Sequence, residues 1–195
     1  MNTPFRVLWL QSGGCGGCNM SLLCADTQDF SAMWRNAGIE LLWHPSLSLE
    51  SGDQVLDILE DCLQGRTRLD ALCIEGSLLR GPHGTGRFHM LAGTDAPMID
   101  WVRKLAAVAQ YTLGIGTCAA YGGITAAGSN PTDACGLQFD GEHRGGLLGA
   151  DYRSLRGLPV INVAGCPTHP GWVTDTLMAL AADLFAEADL DVIGR

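Results

Sequence analysis

Basic residues are scarce in this sequence. Twelve Lys and Arg stand against 21 Asp and Glu, a formal charge of −9 and a pI near 4.8. Neutralising a phosphate backbone takes clustered Lys and Arg, and no basic stripe is visible, so nucleic acid is excluded as a partner. Long apolar runs are also missing. No segment reaches the roughly 18–20 consecutive apolar residues of a membrane helix, so membrane insertion is not expected. The first six residues carry one charge and run straight into an apolar stretch, with no secretory leader and no twin-arginine signal, which predicts a cytoplasmic protein. There is no internal repeat, no low-complexity tract and no sign of a second domain. The 195 residues, 47% hydrophobic, suffice for one full-sized domain spanning 1–195.

Cysteine is plentiful by contrast. Eight cysteines occur, at 15, 18, 24, 62, 73, 118, 135 and 166. In a reducing compartment such a set serves metal binding, catalysis or the core more than disulfides. Two of them sit in the densest stretch of the chain, Gln11-Ser12-Gly13-Gly14-Cys15-Gly16-Gly17-Cys18, directly after an apolar run. Glycine accepts positive φ and lets a bound group approach the backbone, so this loop is a cradle for a ligand.

Apolar spacing predicts strands over 5–11, 39–43, 69–75, 111–115 and 158–163. Helices are predicted over 19–36 and from a Ser51 cap to Gly65. Two more are predicted, one starting at Thr94 or Asp95 with Pro97 in its first turn, the other over 171–190. Residues 76–93 and 128–149 read as glycine-rich loops, the second a candidate partner-binding loop. Strands alternating with helices imply an α/β fold, a doubly wound parallel sheet covered on both faces.

In such sheets ligands bind beyond the carboxyl ends of the strands. Cys15 and Cys18 leave the first strand, Glu75 the third, Cys118 the fourth and Cys166 the fifth. The three cysteine-bearing exits are glycine-flanked: Gly14-Cys15-Gly16-Gly17-Cys18, Gly116-Thr117-Cys118 and Gly165-Cys166-Pro167. Four thiolates at one sheet edge suit zinc or an iron–sulfur cluster. Structural zinc sites come as two short-spaced pairs, whereas here the third and fourth cysteines stand alone, which favours a 4Fe–4S cluster. Cys24 reads as packing or a plain thiol, Cys62 and Cys73 as core residues, and Cys135 as a surface or interface thiol. His44 reads as structural. His83 and His89 share a loop and are read as structural over metal- or partner-binding. His169 is a candidate donor to a cluster sulfur or a packing residue. Trp34, Trp101 and Trp172 read as core. A flavin or nucleotide phosphate in the Gly13–Gly17 loop and a zinc-stabilised interaction domain are the other classes.

The segments Ser12-Gly13-Gly14-Cys15-Gly16-Gly17-Cys18, Cys73-Ile74-Glu75-Gly76-Ser77, Gly84-Thr85-Gly86, Gly116-Thr117-Cys118-Ala119 with Gly122-Gly123, and Asn162-Val163-Ala164-Gly165-Cys166-Pro167 resemble, in order, the small subunit of nickel–iron hydrogenases. The resemblance implies a flavodoxin-like domain holding the proximal 4Fe–4S cluster on Cys15, Cys18, Cys118 and Cys166. It makes Glu75 an acid near the subunit interface; by its place at a strand end alone, Glu75 is a candidate proton relay or partner to the other subunit, or else an acceptor of backbone hydrogen bonds that shapes the loop. It implies a large-subunit partner carrying the nickel–iron centre, with no catalytic residue in this chain. Trp9–Cys15 and the loop 79–89 look most like the cytoplasmic, hydrogen-sensing branch, in which a histidine kinase or other signalling protein is a further partner. A cytoplasmic uptake hydrogenase is the alternative. The related cluster subunit of respiratory complex I has adjacent cysteines where this chain has Cys15-Gly-Gly-Cys18. Gly17 and Gly123 stand where oxygen-tolerant relatives carry two extra cysteines, which implies an ordinary four-cysteine cluster. Thr168 replaces a second proline, a change expected to be harmless. The family's C-terminal domain with two further clusters is not in this sequence, which is expected to be either a truncated chain or a natural short form.

Overall fold

The computed structural model describes residues 3–25 and 30–195. In chain order the elements are β1 (Phe5–Gln11), α1 (Gly17–Leu23), α2 (Phe30–Asn36), β2 (Ile39–Trp43), α3 (Asp53–Leu63), β3 (Ala71–Glu75), β4 (Leu78–Leu79), α4 (Met98–Val108), β5 (Tyr111–Ile115), α5 (Gly116–Tyr121), β6 (Ala134–Cys135), β7 (Phe139–Asp140), β8 (His143–Arg144), β9 (Ile161–Val163) and α6 (Pro170–Ala181). Five strands form one parallel sheet in the order β2-β1-β3-β5-β9, the doubly wound arrangement expected.

The pleat sends alternate residues to opposite faces. Leu8, Leu10, Leu72 and Ile74 pack under α3 and α4 with Leu59, Val102 and Leu105. Val7, Trp9, Cys73, Leu113, Ile115, Ile161 and Val163 pack on the other face with Leu22, Val173 and Leu177 of α1 and α6. Each fully buried aliphatic side chain contributes about 1.5–3 kcal/mol. Cys62 and Cys73 are core residues, as read from their neighbours.

The sheet register places the site. Gln11 pairs with Glu75, Glu75 with Ile115, and Ile115 with Val163. β1, β3, β5 and β9 therefore end side by side, and the segments that follow them leave from one edge.

Several expected boundaries differ. The helix expected over 19–36 is two helices, with α1 ending at Leu23. No large apolar residue lies between Leu23 and Phe30 to continue a buried stripe, and the part of that expectation on 26–29 lies outside the described residues. Gly52, at φ 57°, occupies the cap of α3 in place of Ser51, and Asp53 sits in the first turn. Pro97 is the cap of α4 and lies outside its first turn. Thr94 and Asp95 belong to a turn closed by Leu91 N–H to Ala96 O (3.0 Å). The exit after β5 is itself a short helix, α5. The last strand begins at Ile161, and α6 ends at Ala181, where Asp183 at φ 57° turns the chain and Leu184 N–H closes on Ala179 O (2.9 Å).

The long loops are knitted into the fold. β6 pairs antiparallel with β4, and β7 with β8. Arg80 bridges Asp133 and Asp140, each at 2.7 Å, tying the first loop to the second. This pairing corrects the reading of Cys135: it is fully buried, its thiol against Leu78 O at 3.7 Å. Trp172 is corrected the other way. Trp34 and Trp101 are buried, but Trp172 is 59% exposed on the outer side of α6.

Candidate metal centre

Cys15, Cys18, Cys118 and Cys166 line one small open cavity with Gly14, Gly17, Glu75, Gly76, Ile115, Thr117 and Gly165. The four thiols named from the sequence are thus brought together with Glu75. Cys15 and Cys166 are exposed at the mouth, and Cys18 and Cys118 are half-buried. Among the described residues no three His, Cys, Asp or Glu side chains converge closely enough to grip a single ion.

The connections after the strands lock together. Ser12 N–H donates to Glu75 O (2.7 Å), and Gly13 and Ser77 exchange backbone hydrogen bonds at 2.9 and 2.8 Å. Thr117 N–H donates to Gly165 O (2.9 Å), and Gly165 N–H returns to the Thr117 hydroxyl (3.2 Å). The loop of β1 is therefore held to that of β3, and the loop of β5 to that of β9.

Missing Cβ atoms make room for sulfur. Gly116 has φ 82°, and a Cβ there would overlap the Cys18 sulfur. A Cβ on Gly123 would lie 2.7 Å from the Cys118 sulfur, and one on Gly17 3.1 Å from the Cys15 sulfur. Gly17 lines this cavity and Gly123 lies against the Cys118 sulfur, so neither position adds a side chain beside the thiols.

Glu75 is buried at the end of β3. One carboxylate oxygen accepts from Cys18 N–H (3.0 Å) and Asn19 N–H (3.1 Å), and the other from the Trp9 indole (3.4 Å). It caps the first turn of α1 from a neighbouring strand and holds the segment carrying Cys18. Behind it the His44 ring packs on Trp9 at 5.0 Å, fully buried. Burial pushes the imidazole down to about 4.

Burial and the surrounding negative groups Glu75, Cys118 and Cys15 push the Cys18 thiol up to about 11, opposed by a backbone hydrogen bond from Thr168. Burial also raises Cys118, opposed by a hydrogen bond from the Ile124 backbone. Thiols that resist ionisation while packed beside one another are suited to a cationic centre that compensates their charge. The donor set and the glycine-lined room fit an iron–sulfur cluster.

His169 and His89 make contacts within the fold. Nδ1 of His169 accepts from Gly171 N–H (3.1 Å) and caps α6, with the Trp172 ring 5.5 Å away. His89 contacts the Ser12 hydroxyl at 3.4 Å, and His83 is exposed. Cys24 is an exposed thiol. Residue types alone do not reveal the amides of Thr168 and Ile124, because a backbone donor has no signature in them, and the indole of Trp9 meets Glu75 only through the pairing of β1 with β3.

Residues 15–180 match the family described as NADH ubiquinone oxidoreductase, 20 Kd subunit. The Hydrogenase-2 small chain of Escherichia coli is 34% identical over 164 residues, 84% of this chain and 39% of that protein. The periplasmic NiFeSe hydrogenase small subunit of Desulfomicrobium baculatum is 30% identical over 183 residues, 89% of this chain and 53% of that one. The chain spans about half the length of the curated relatives it matches. Among solved structures, the actinobacterial-type NiFe-hydrogenase from Ralstonia eutropha superposes with TM-score 0.82 at 31% identity, covering 99% of this chain and 58% of that one. The NiFeSe hydrogenase of Desulfomicrobium baculatum gives 0.78 at 28%, covering 98% and 69%. The chain belongs to the NADH ubiquinone oxidoreductase, 20 Kd subunit, family and is a homologue of hydrogenase small subunits.

Proposed function

We propose that this chain is the electron-transfer small subunit of a nickel–iron hydrogenase, holding one 4Fe–4S cluster on Cys15, Cys18, Cys118 and Cys166. The observation that carries the reading is the arrangement of those thiols: they leave three different strands and line one cavity, yet no three converge on the point a single ion would occupy. That spread suits a cluster better than a tetrahedral zinc ion, whose ligands crowd within about 2.3 Å of one centre.

When bound, such a cluster supplies one-electron oxidation and reduction. This chain's residues do the rest. The sheet register sets the spacing of the three loops, and Glu75 fixes the first turn of α1 and with it Cys18. The amides of Thr168 and Ile124 face sulfurs. Hydrogen would be split at the nickel–iron centre of a large subunit into two protons and two electrons, and the electrons would leave one at a time through this chain. The exposed mouth at Cys15 and Cys166 is the face a large subunit would cover.

The finer reading is a cytoplasmic, hydrogen-sensing enzyme whose state passes to a signalling partner such as a histidine kinase. Its support is the character of the loop 79–89 and the four-thiol donor set; the relatives include an enzyme named as periplasmic. Co-purification with a hydrogenase large subunit, followed by low-temperature EPR with and without hydrogen, tests the reading. A cluster signal that hydrogen induces is expected. Hydrogen oxidation by this chain alone would refute the division of labour. Cell fractionation tests the location. Capture of a kinase from hydrogen-grown cells but not hydrogen-free cells tests the sensing role.

A further inference from the structure

Thr168 interrupts the run after Cys166 and Pro167 with a residue that keeps its backbone N–H, which proline lacks. The residue is 1% exposed. Its carbonyl accepts from the Ser21 hydroxyl on α1 at 2.8 Å, which ties this turn to the helix carrying Cys18. Its N–H donates to no oxygen among the described residues. Buried amides are nearly always paired, so this donor needs an acceptor. The acceptor at hand is the Cys18 sulfur, which receives a backbone hydrogen bond from Thr168.

We propose that Thr168 is a positioning and tuning residue of the cluster site: its backbone N–H, held by the Ser21–Thr168 hydrogen bond, donates to the Cys18 sulfur and raises the reduction potential of the bound cluster. The physical ground is differential stabilisation. Adding an electron places more negative charge on the cluster and its sulfurs, and an N–H donor stabilises the more negative state more. Proline at 168 would leave the sulfur one donor short. The Thr168 hydroxyl is buried with no partner among the described residues, so the amide and the hydroxyl have to be separated by experiment.

This inference rests on the cluster reading above, and the experiment distinguishes the two. The chain is purified anaerobically, alone and with its large subunit, and iron and the EPR signal are measured first. Absence of iron and of the signal from the unaltered protein overturns both readings. With the cluster present, its midpoint potential is read by EPR-monitored redox titration in three variants. Thr168→Pro removes the N–H and is expected to lower the potential. Thr168→Val keeps the N–H, removes only the hydroxyl, and is expected to leave the potential where it is. Ser21→Ala loosens the anchor and is expected to shift it downward by a smaller step. If Thr168→Pro does not assemble, Ser21→Ala decides. An unchanged potential in the assembled Thr168→Pro protein, or in Ser21→Ala where the proline variant does not assemble, overturns the inference and leaves the cluster reading standing. A shift in Thr168→Val as large as that in Thr168→Pro also overturns it, by assigning the effect to the hydroxyl.

Discussion

Replacing Gly116 with alanine separates the needs of the fold from those of the metal site. Gly116 opens α5 at φ 82°, where an L-residue costs about 1–2 kcal/mol. The added Cβ would overlap the Cys18 sulfur, while its next neighbour, Gly165 O at 3.4 Å, is an ordinary contact. A thiol is the end of a short side chain and can rotate away, so the overlap adds little to the folding cost. Rotation takes the sulfur out of the cavity. Gly128 supplies the control: at φ 67° with nothing within 4 Å of its Cβ position, alanine there carries the backbone cost alone. Both variants should therefore lose about 1–2 kcal/mol, a fall of about 2–4 °C in Tm per kcal/mol for a chain of this size. Only Gly116→Ala should lose its iron. Thermal unfolding of the iron-free proteins and iron content after anaerobic purification are the assays. Full iron in Gly116→Ala would refute the cradle argument, and equal iron loss in Gly128→Ala would show that backbone strain is the cause.

Two further predictions concern the polar residues behind the site. Glu75→Leu strands the N–H groups of Cys18 and Asn19 at about 1–3 kcal/mol each, whereas Glu75→Gln keeps an acceptor oxygen and should cost less than half as much in urea unfolding of the iron-free chain. His44 is held neutral in the fold down to about 4 against an ordinary 6.5. The unfolded chain takes up a proton below 6.5 that the folded chain refuses, so this contribution is complete above 6.5 and is lost as pH falls from 6.5 towards 4. The total is about 3 kcal/mol, and His44→Gln should flatten the urea midpoint across that window.

The metal site was legible in the sequence for a topological reason. In a parallel sheet every strand ends at the same edge, so locating the strand ends before Cys15, Cys118 and Cys166 was enough to bring those residues together. The strands were legible because β3 and β5 are buried on both faces and read as nearly unbroken apolar runs. Cys135 was misread because its burial depends on β4 pairing with β6 across a long stretch of chain, a contact with no local pattern. Trp172 was misread because helical spacing says which residues share a face, not how far around the helix the core extends. The role of Glu75 as an acceptor of backbone hydrogen bonds was legible from its place at a strand end, although which amides it meets depends on α1 lying beside β3. The amide of Thr168 was hidden, because a backbone group acting on a distant side chain has no signature in residue type.

The measurement that bears most directly on the central claim is metal and acid-labile sulfide analysis of the anaerobically purified chain beside its Cys118→Ala variant, with EPR after reduction. Iron and sulfide in equal amounts, a brown colour and a cluster signal, all lost in Cys118→Ala, are the predicted result. Stoichiometric zinc with neither iron nor sulfide would contradict the account.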